Sequence, residues 1–413
     1  MIGSAKMKIN IDIPLSGWHA CECHSTNDCY KVKCDSCQRG DFLCPCCRTP
    51  MRLHSSRRAS VRDFPIFDKP LLLDVEVRVC RCPACGKFHS IRPKEVHPTM
   101  GFTWRFMRLV TWTLKSCTEA MVAELFHLSR SSVHRISCSL LGYIDSLCPV
   151  LLDGRTKLII DEKHLGHRSG YITVVIDGDT GEVLFIAKGK SMESIEPFFK
   201  SMTKEQREAI EVVSIDRGNA YKKAVTKYLP NAAITFDPFH IISNAGEALN
   251  KVRRQQWRLA DEEHKANIKG SLYILLRGQE NLDDEKRKRL DALLAINQPI
   301  AIAHMLKEQL RTIYRSANDE VEAAELLKLW LHDAAHCGLA PFRTLAKTMG
   351  KALPCLINFF KYRLSSGKIE SLNSRIATLQ YRMRGVGDEY SLFLHLRYMT
   401  CPEFDALIPR KAC

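Results

Sequence analysis

The chain has 413 residues, 45% of them hydrophobic and 26% charged, with a formal net charge of +15 and 18 cysteines. That length gives two or three domains with full cores, which excludes wholesale disorder and a small scaffold held by staples. No amino-terminal signal segment is evident. The longest uncharged run, about Ala292–Met305, falls short of the ~20 residues of a spanning helix and contains Pro299, so secretion and membrane insertion are not expected.

The charge is unevenly spread. Residues 1–100 carry 16 Lys and Arg against 10 Asp and Glu, residues 101–157 carry 7 against 4, residues 158–243 carry 11 against 12, and residues 244–413 carry 27 against 20. Basic flanks around a neutral middle favour a polyanionic partner. The chain is expected in the cytoplasm, where clustered cysteines read as metal ligands before disulfides.

Eleven cysteines fall before residue 86. Cys44-Pro-Cys-Cys47 and Cys82-Pro-Ala-Cys85 are C-x-x-C knuckles. The two-residue spacer lets both thiolates bend onto one ion, and two knuckles complete a tetrahedral zinc site. The alternative is a set of reduced, buried cysteines. Leu71–Arg78 between them alternates like a strand, which gives a zinc-ribbon-like module over residues 1–100. Upstream, Cys34-Asp-Ser-Cys37 is another knuckle, with Cys21-Glu-Cys23 as its partner in a second zinc site. His19, His24 and Cys46 compete for those places.

Residues 101–150 read as helical, with Phe102, Phe106, Leu109, Val110 and Thr113 at helix spacing. Thr118 and Ser129 suit N-caps of two helices separated by a break at His127-Leu128. Val133, Ile136 and Leu140 inward leave Arg130, Ser131, Ser132, His134 and Arg135 outward. A helix-turn-helix reads DNA from that end of its second helix. A helical linker with a solvated face is the alternative.

From residue 157 the texture changes. Lys157–Asp161, Tyr171–Asp177 and Glu182–Ala187 read as strands, the last two joined by the turn Asp-Gly-Asp-Thr-Gly at 177–181. Met192–Met202 reads as a helix, Glu211–Asp216 as a strand, Asn219–Tyr228 as a helix and Ala232–Asp237 as a strand. A helix starts near Phe239. This order is that of an RNase H-like α/β core, in which the first and fourth strands are neighbours. Asp161 and Asp216 then end adjacent strands, a divalent-metal site in which two Mg²⁺ ions could clamp a phosphodiester. Glu162 and Asp177 compete with Asp161, although Asp177 suits the turn. The third acid should come from a later helix, and Glu370 in SSGKIESLN is the candidate, with Asn373 one turn on and Arg375, Arg382 and Arg384 near enough for phosphate.

Residues 244–365 are helix-rich and read as an all-helical insertion that interrupts the core, which resumes over 366–413. Arg253, Arg254 and Trp257 lie on a basic helix suited to backbone phosphate. The fold class is thus multidomain α+β, with domains at 1–100, 101–150, 151–243, 244–365 and 366–413.

The blocks IIDEKHLG around Asp161, VVSIDRGNAY around Asp216, PNAAITFDPFH, NKVRR, SSGKIESLN and RMRG, with the cysteine knuckles, are similar to those of the ISL3 family of bacterial insertion-sequence transposases. The resemblance implies a DDE triad at Asp161, Asp216 and Glu370, two catalytic Mg²⁺ ions, one or two structural zinc ions, and strand cleavage and transfer on double-stranded DNA at terminal repeats and target. It makes His240 of the Asp237-Pro-Phe-His240 pattern an active-site contributor, and a homodimer or higher oligomer the expected assembly. Pro238 and Ala377 stand where the family commonly has basic residues. Two other readings stay open: a zinc and helix-turn-helix regulator derived from a transposase, and an RNase H-like nuclease.

Overall fold

The computed structural model describes residues 13, 15–37, 42–167, 169–216, 219–364, 367–383 and 388–406. They form two compact units, one from residues 1–149, 378–385 and 401–413, the other from residues 150–377 and 386–400.

The first unit is built on five strands: β1 (Trp18–Ser25), β2 (Tyr30–Ser36), β3 (Arg52–Ile66), β4 (Lys69–Arg81) and β5 (Phe88–Ile91). The sheet order is β1-β2-β4-β3, with β5 on β4. Leu71, Leu73, Val75 and Val77 of β4 alternate into the interior, so the expected strand is present and longer than its pattern suggested. Their core takes in Trp18, Val32, Cys34 and Val61. Three helices follow: α1 (Trp104–Thr113), α2 (Glu119–Leu125) and α3 (Arg130–Leu147). Thr118 and Ser129 cap α2 and α3 as expected, accepting from the amides of Met121 and Ser132. Buried Asp63 on β3 accepts from Thr103 Oγ1 at 2.6 Å and Arg105 Nε at 2.7 Å, and Arg62 donates to the carbonyls of Phe126 and His127. These bonds tie helices to sheet, so residues expected as two modules fold as one unit.

The second unit carries β6 (Lys157–His164), β7 (Tyr171–Asp177), β8 (Val183–Lys188), β9 (Val212–Ile215) and β10 (Ala233–Phe236). Their order is β10-β9-β6-β7-β8, with β6–β7–β8 antiparallel and β9 and β10 added in parallel. Helices α4 (Met192–Ser201), α5 (Lys204–Ala209) and α6 (Asn219–Tyr228) connect the strands, and α7 (Pro238–Leu259) leaves β10. Asp237 caps α7, accepting from the Phe239 amide at 2.9 Å, with Pro238 at the first turn.

The helical segment continues with α8 (Glu262–Ile268), α9 (Leu272–Leu276), α10 (Asp284–Ile296), α11 (Gln298–Ser316), α12 (Glu320–His336), α13 (Ala340–Gly350) and α14 (Leu353–Tyr362). One continuous hydrophobic core runs from Leu158 and Val213 of the sheet through Leu249, Leu310 and Trp330 to Phe360. The insertion therefore shares its core with the sheet. Helices α15 (Gly367–Met383), α16 (Glu389–Thr400) and α17 (Pro402–Ala406) complete the described residues. No helix among the described residues is long and apolar enough to cross a membrane.

Candidate active site and metal centres

The Sγ atoms of Cys44, Cys47, Cys82 and Cys85 all lie within 4.8 Å of one another. Cys44 and Cys85 are 3.7 Å apart, and Cys47 and Cys82 3.4 Å. A tetrahedron with Zn–S bonds of about 2.3 Å has edges of about 3.8 Å, so the donor set fits zinc. Both knuckles make the same turn. The amides of Arg48 and Gly86 donate to the carbonyls of Cys44 and Cys82, at 2.9 and 3.0 Å, and both residues are left-handed, with φ of 60° and 73°. Glycine adopts that φ without strain, whereas Arg48 pays for its Cβ. Hydrogen bonding with Thr49 lowers Cys47 to about 6. The Lys87 amide lowers Cys85, but desolvation and hydrogen bonding with the thiols of Cys82, Cys44 and Cys47 together outweigh it and push it up to about 12. Four thiols this close ionise together only around a cation. Sequence reasoning missed His89, whose Nε2 lies 3.6 Å from Cys44 Sγ and which with Cys44 and Cys46 forms an overlapping ligand group.

The second cysteine quartet is not brought together, and that expectation is corrected. Cys34 is buried among the apolar side chains of the first sheet, while Cys21, Cys23 and Cys37 are exposed. Cys34 turns into the sheet core, and the four sulfurs do not come within the 4.8 Å of one another that the first quartet reaches. His19 instead lies between two of them, Nδ1 at 3.0 Å from Cys37 Sγ and Nε2 at 3.3 Å from Cys21 Sγ.

The acidic site stands on the central strands of the second unit. Lys157 through Ile160 pair in register with Val212 through Ile215, so Asp161 and Asp216 follow the last paired residues of neighbouring parallel strands. Strand alternation points Asp161 and Glu162 to opposite faces. On one face Asn373 Nδ2 of α15 donates to Asp161 Oδ2 at 3.1 Å. Asn373 lies one turn beyond exposed Glu370, so the helix carrying Glu370 runs beside Asp161. His240, in the first turn of α7, has Nδ1 at 3.8 Å from Asp216 Oδ1 and Nε2 at 4.0 Å from Asp237 Oδ2. The three carboxylates are not drawn to the 4.8 Å spacing of the cysteines.

On the other face Glu162 meets Lys190 Nζ at 3.8 Å, and Tyr221 Oη lies 2.8 Å from Thr173 Oγ1. Burial raises the Glu162 carboxyl above its usual range, against the pull of Lys190, with the charges of Asp216 and Asp161 adding to the rise. Burial likewise pushes Tyr221 up to about 12. Lys190 carried no sequence signal, and Tyr221, although inside the VVSIDRGNAY block, was not singled out, because each reaches the site only through the fold. Asp177 does turn chemistry: its Oδ1 accepts from the Asp179 amide and the Thr180 hydroxyl, both at 2.9 Å.

The expected DNA-facing residues divide. Ser132 and Arg135 lie on α3, Arg135 exposed, and the Ser132 hydroxyl is 2.9 Å from the Ser129 cap. His134 Nδ1 is 3.0 Å from Oε1 of buried Glu119, and Arg130 approaches the same carboxylate at 4.0 Å, so both also join α3 to α2. Arg375 and Arg382 are anchored on the carbonyls of Met399 and Lys115. Arg384 lies outside the described residues. Arg253 and Arg254 flank a cavity with Trp257.

Comparison with known proteins decides the family. A transposase model of the ISL3 DDE type matches residues 158–394, more than half of the chain. The chain belongs to the ISL3 family of DDE transposases. A second model, the zinc-finger of transposase IS204/IS1001/IS1096/IS1165, matches residues 41–85 of this transposase, from just before Cys44 to Cys85. The transposase for insertion sequence element IS1001 of Bordetella parapertussis is 28% identical over 374 residues, covering 86% of this chain and 88% of that protein. The transposase for insertion sequence element IS1557 of Mycobacterium tuberculosis is 26% identical over 349 residues, 78% of each chain.

Proposed function

We propose that this transposase cleaves and joins DNA at the terminal repeats of an insertion sequence in the bacterial cytoplasm, using Asp161, Asp216 and Glu370 as its triad. The observation that carries the reading is the juxtaposition of Asp161 with Asn373. It sets the helix of Glu370 beside the strand whose neighbour ends in Asp216.

The donor set is hard oxygen, which fits magnesium and not the soft thiolate site of the first unit. Asp161, Asp216 and Glu370 would hold up to two Mg²⁺ ions in an RNase H-like core. When bound, such ions lower the pKa of water and neutralise phosphodiester charge. The chain's own part is orientation. Asn373 fixes one Asp161 oxygen by donating to it, and His240 stands beside Asp216 as a positioning residue. At a transposon end a water oxygen attacks phosphorus in line and the 3′ oxygen leaves, taking up a proton. The released 3′-OH then attacks a target phosphodiester, displacing another 3′ oxygen. Held geometry and charge neutralisation supply most of the acceleration.

The zinc is structural, since four cysteines leave no open position. Exposed Arg135 on α3 supports a helix-turn-helix reading of DNA, with Arg130, Ser132 and His134 in the first two turns of the same helix. Pairing two ends implies a homodimer or higher oligomer. The test is Asp216→Ala in the full chain: Mg²⁺-dependent nicking of end DNA is lost while end binding stays within about twofold. Nicking at the wild-type rate would reject the triad.

A further inference from the structure

The helical segment holds a cavity of about 510 Å³ between the carboxyl-terminal part of α7 and α8, lined by Arg253, Arg254, Trp257, Glu262, Lys265 and Lys269. We infer that this cavity binds one unpaired nucleotide of a single-stranded DNA segment, its base on Trp257 and its phosphates on the surrounding cations. The inference rests on the reading that the second unit acts on DNA strands.

Three observations converge. The first is charge: four cations face one carboxylate, and Glu262 is already engaged by Lys265 at 2.8 Å. Among the described residues Arg253, Arg254 and Lys269 have no carboxylate within 4.0 Å. Burial, reinforced by the neighbouring Arg254, lowers Arg253 below the usual arginine range. Asn250 Oδ1 fixes the Arg253 guanidinium by accepting from Nε at 3.1 Å and Nη2 at 2.9 Å. A preorganised cationic wall of this kind selects an anion.

The second is the indole. Trp257 lines the cavity and is 43% exposed, with Lys265 Nζ over one face of its ring, 5.6 Å from the centroid, which leaves the other face for a base. Paired bases in a duplex present edges, not faces, so an aromatic ring in a concave cationic site takes a base only when that base is unstacked. The third is position. Trp257 lies 17 residues after His240 on the same helix, which at 1.5 Å per residue is about 25 Å. A duplex advances 3.4 Å per step and an unstacked strand more, so about seven nucleotides or fewer span from the acids to the cavity.

The test compares binding of the full-length protein, in Mg²⁺-free buffer, to an oligothymidylate and to a duplex of equal length by fluorescence anisotropy. Trp257→Ala should weaken oligothymidylate binding about tenfold, the scale of one base–aromatic stack, and change duplex binding less than twofold. Trp257→Phe, which keeps a stacking face, should stay within about threefold of wild type. Unchanged oligothymidylate affinity in Trp257→Ala would overturn the inference, and so would equal losses on both DNAs, which would make the site a backbone groove. No cleavage is read, so a failure of the triad in the Asp216→Ala experiment leaves this result separate.

Discussion

The cysteine cluster and the carboxylate site both gather ligands from distant parts of the chain, and the fold completes them to different degrees. Two identical turns bring the four sulfurs within 4.8 Å of one another. The acids sit on two strands and a helix, oriented by Asn373 and flanked by His240, but more widely spaced. Soft ligands on tight knuckles make a closed site that holds structure together. The hard ligands proposed here, on separate elements of one core, would make an open site for a phosphodiester.

The largest effect that would sharpen this contrast is loss of the closed site. Cys82→Ser should take bound zinc from one per chain to none and unfold the ribbon, since a structural zinc supplies roughly 10–16 kcal/mol of apparent binding energy. Metal analysis and limited proteolysis would read this. A folded ribbon without zinc would break the comparison.

A smaller effect tests the rigidity of the acid-bearing unit. His304 is buried in its helical segment, and burial, with the nearby Lys307 charge, lowers it to about 4. Between pH 6.5 and 4 the unfolded chain therefore binds the extra proton, and stability falls as pH drops through that window, by up to roughly 3 kcal/mol. Denaturant melts of the wild type should show this slope and His304→Leu should flatten it. Smaller still, Asn373→Ala should slow nicking about 10- to 100-fold, as loss of an orienting partner does, with DNA binding unchanged.

The same contrast explains what was legible in the sequence. The strands β6 to β10 were readable because apolar, β-branched runs alternate with helices, and their order put Asp161 beside Asp216. The caps Thr118 and Ser129 and the two knuckles announce themselves by local chemistry. By contrast β1 and the first half of β3 are exposed along most of their length, so they lack the alternation that marks a half-buried strand. The same blindness misplaced Cys34, since cysteine spacing says nothing about which face of a strand turns inward. The bonds of Arg375 and Arg382 to the carbonyls of Met399 and Lys115 were not legible, because only the fold brings those carbonyls to them. The sharing of one core by sheet and insertion was also hidden, because a helical pattern shows an apolar face but not its partner.

The assignment of Glu370 as third acid is tested most directly by one paired measurement. Mg²⁺-dependent nicking of end DNA, with binding measured alongside, should be compared for Glu370→Gln and Glu162→Gln. Loss of nicking in Glu370→Gln, with binding retained and with Glu162→Gln still active, is the predicted result. An active Glu370→Gln beside an inactive Glu162→Gln would contradict the account and move the site to the opposite face of β6.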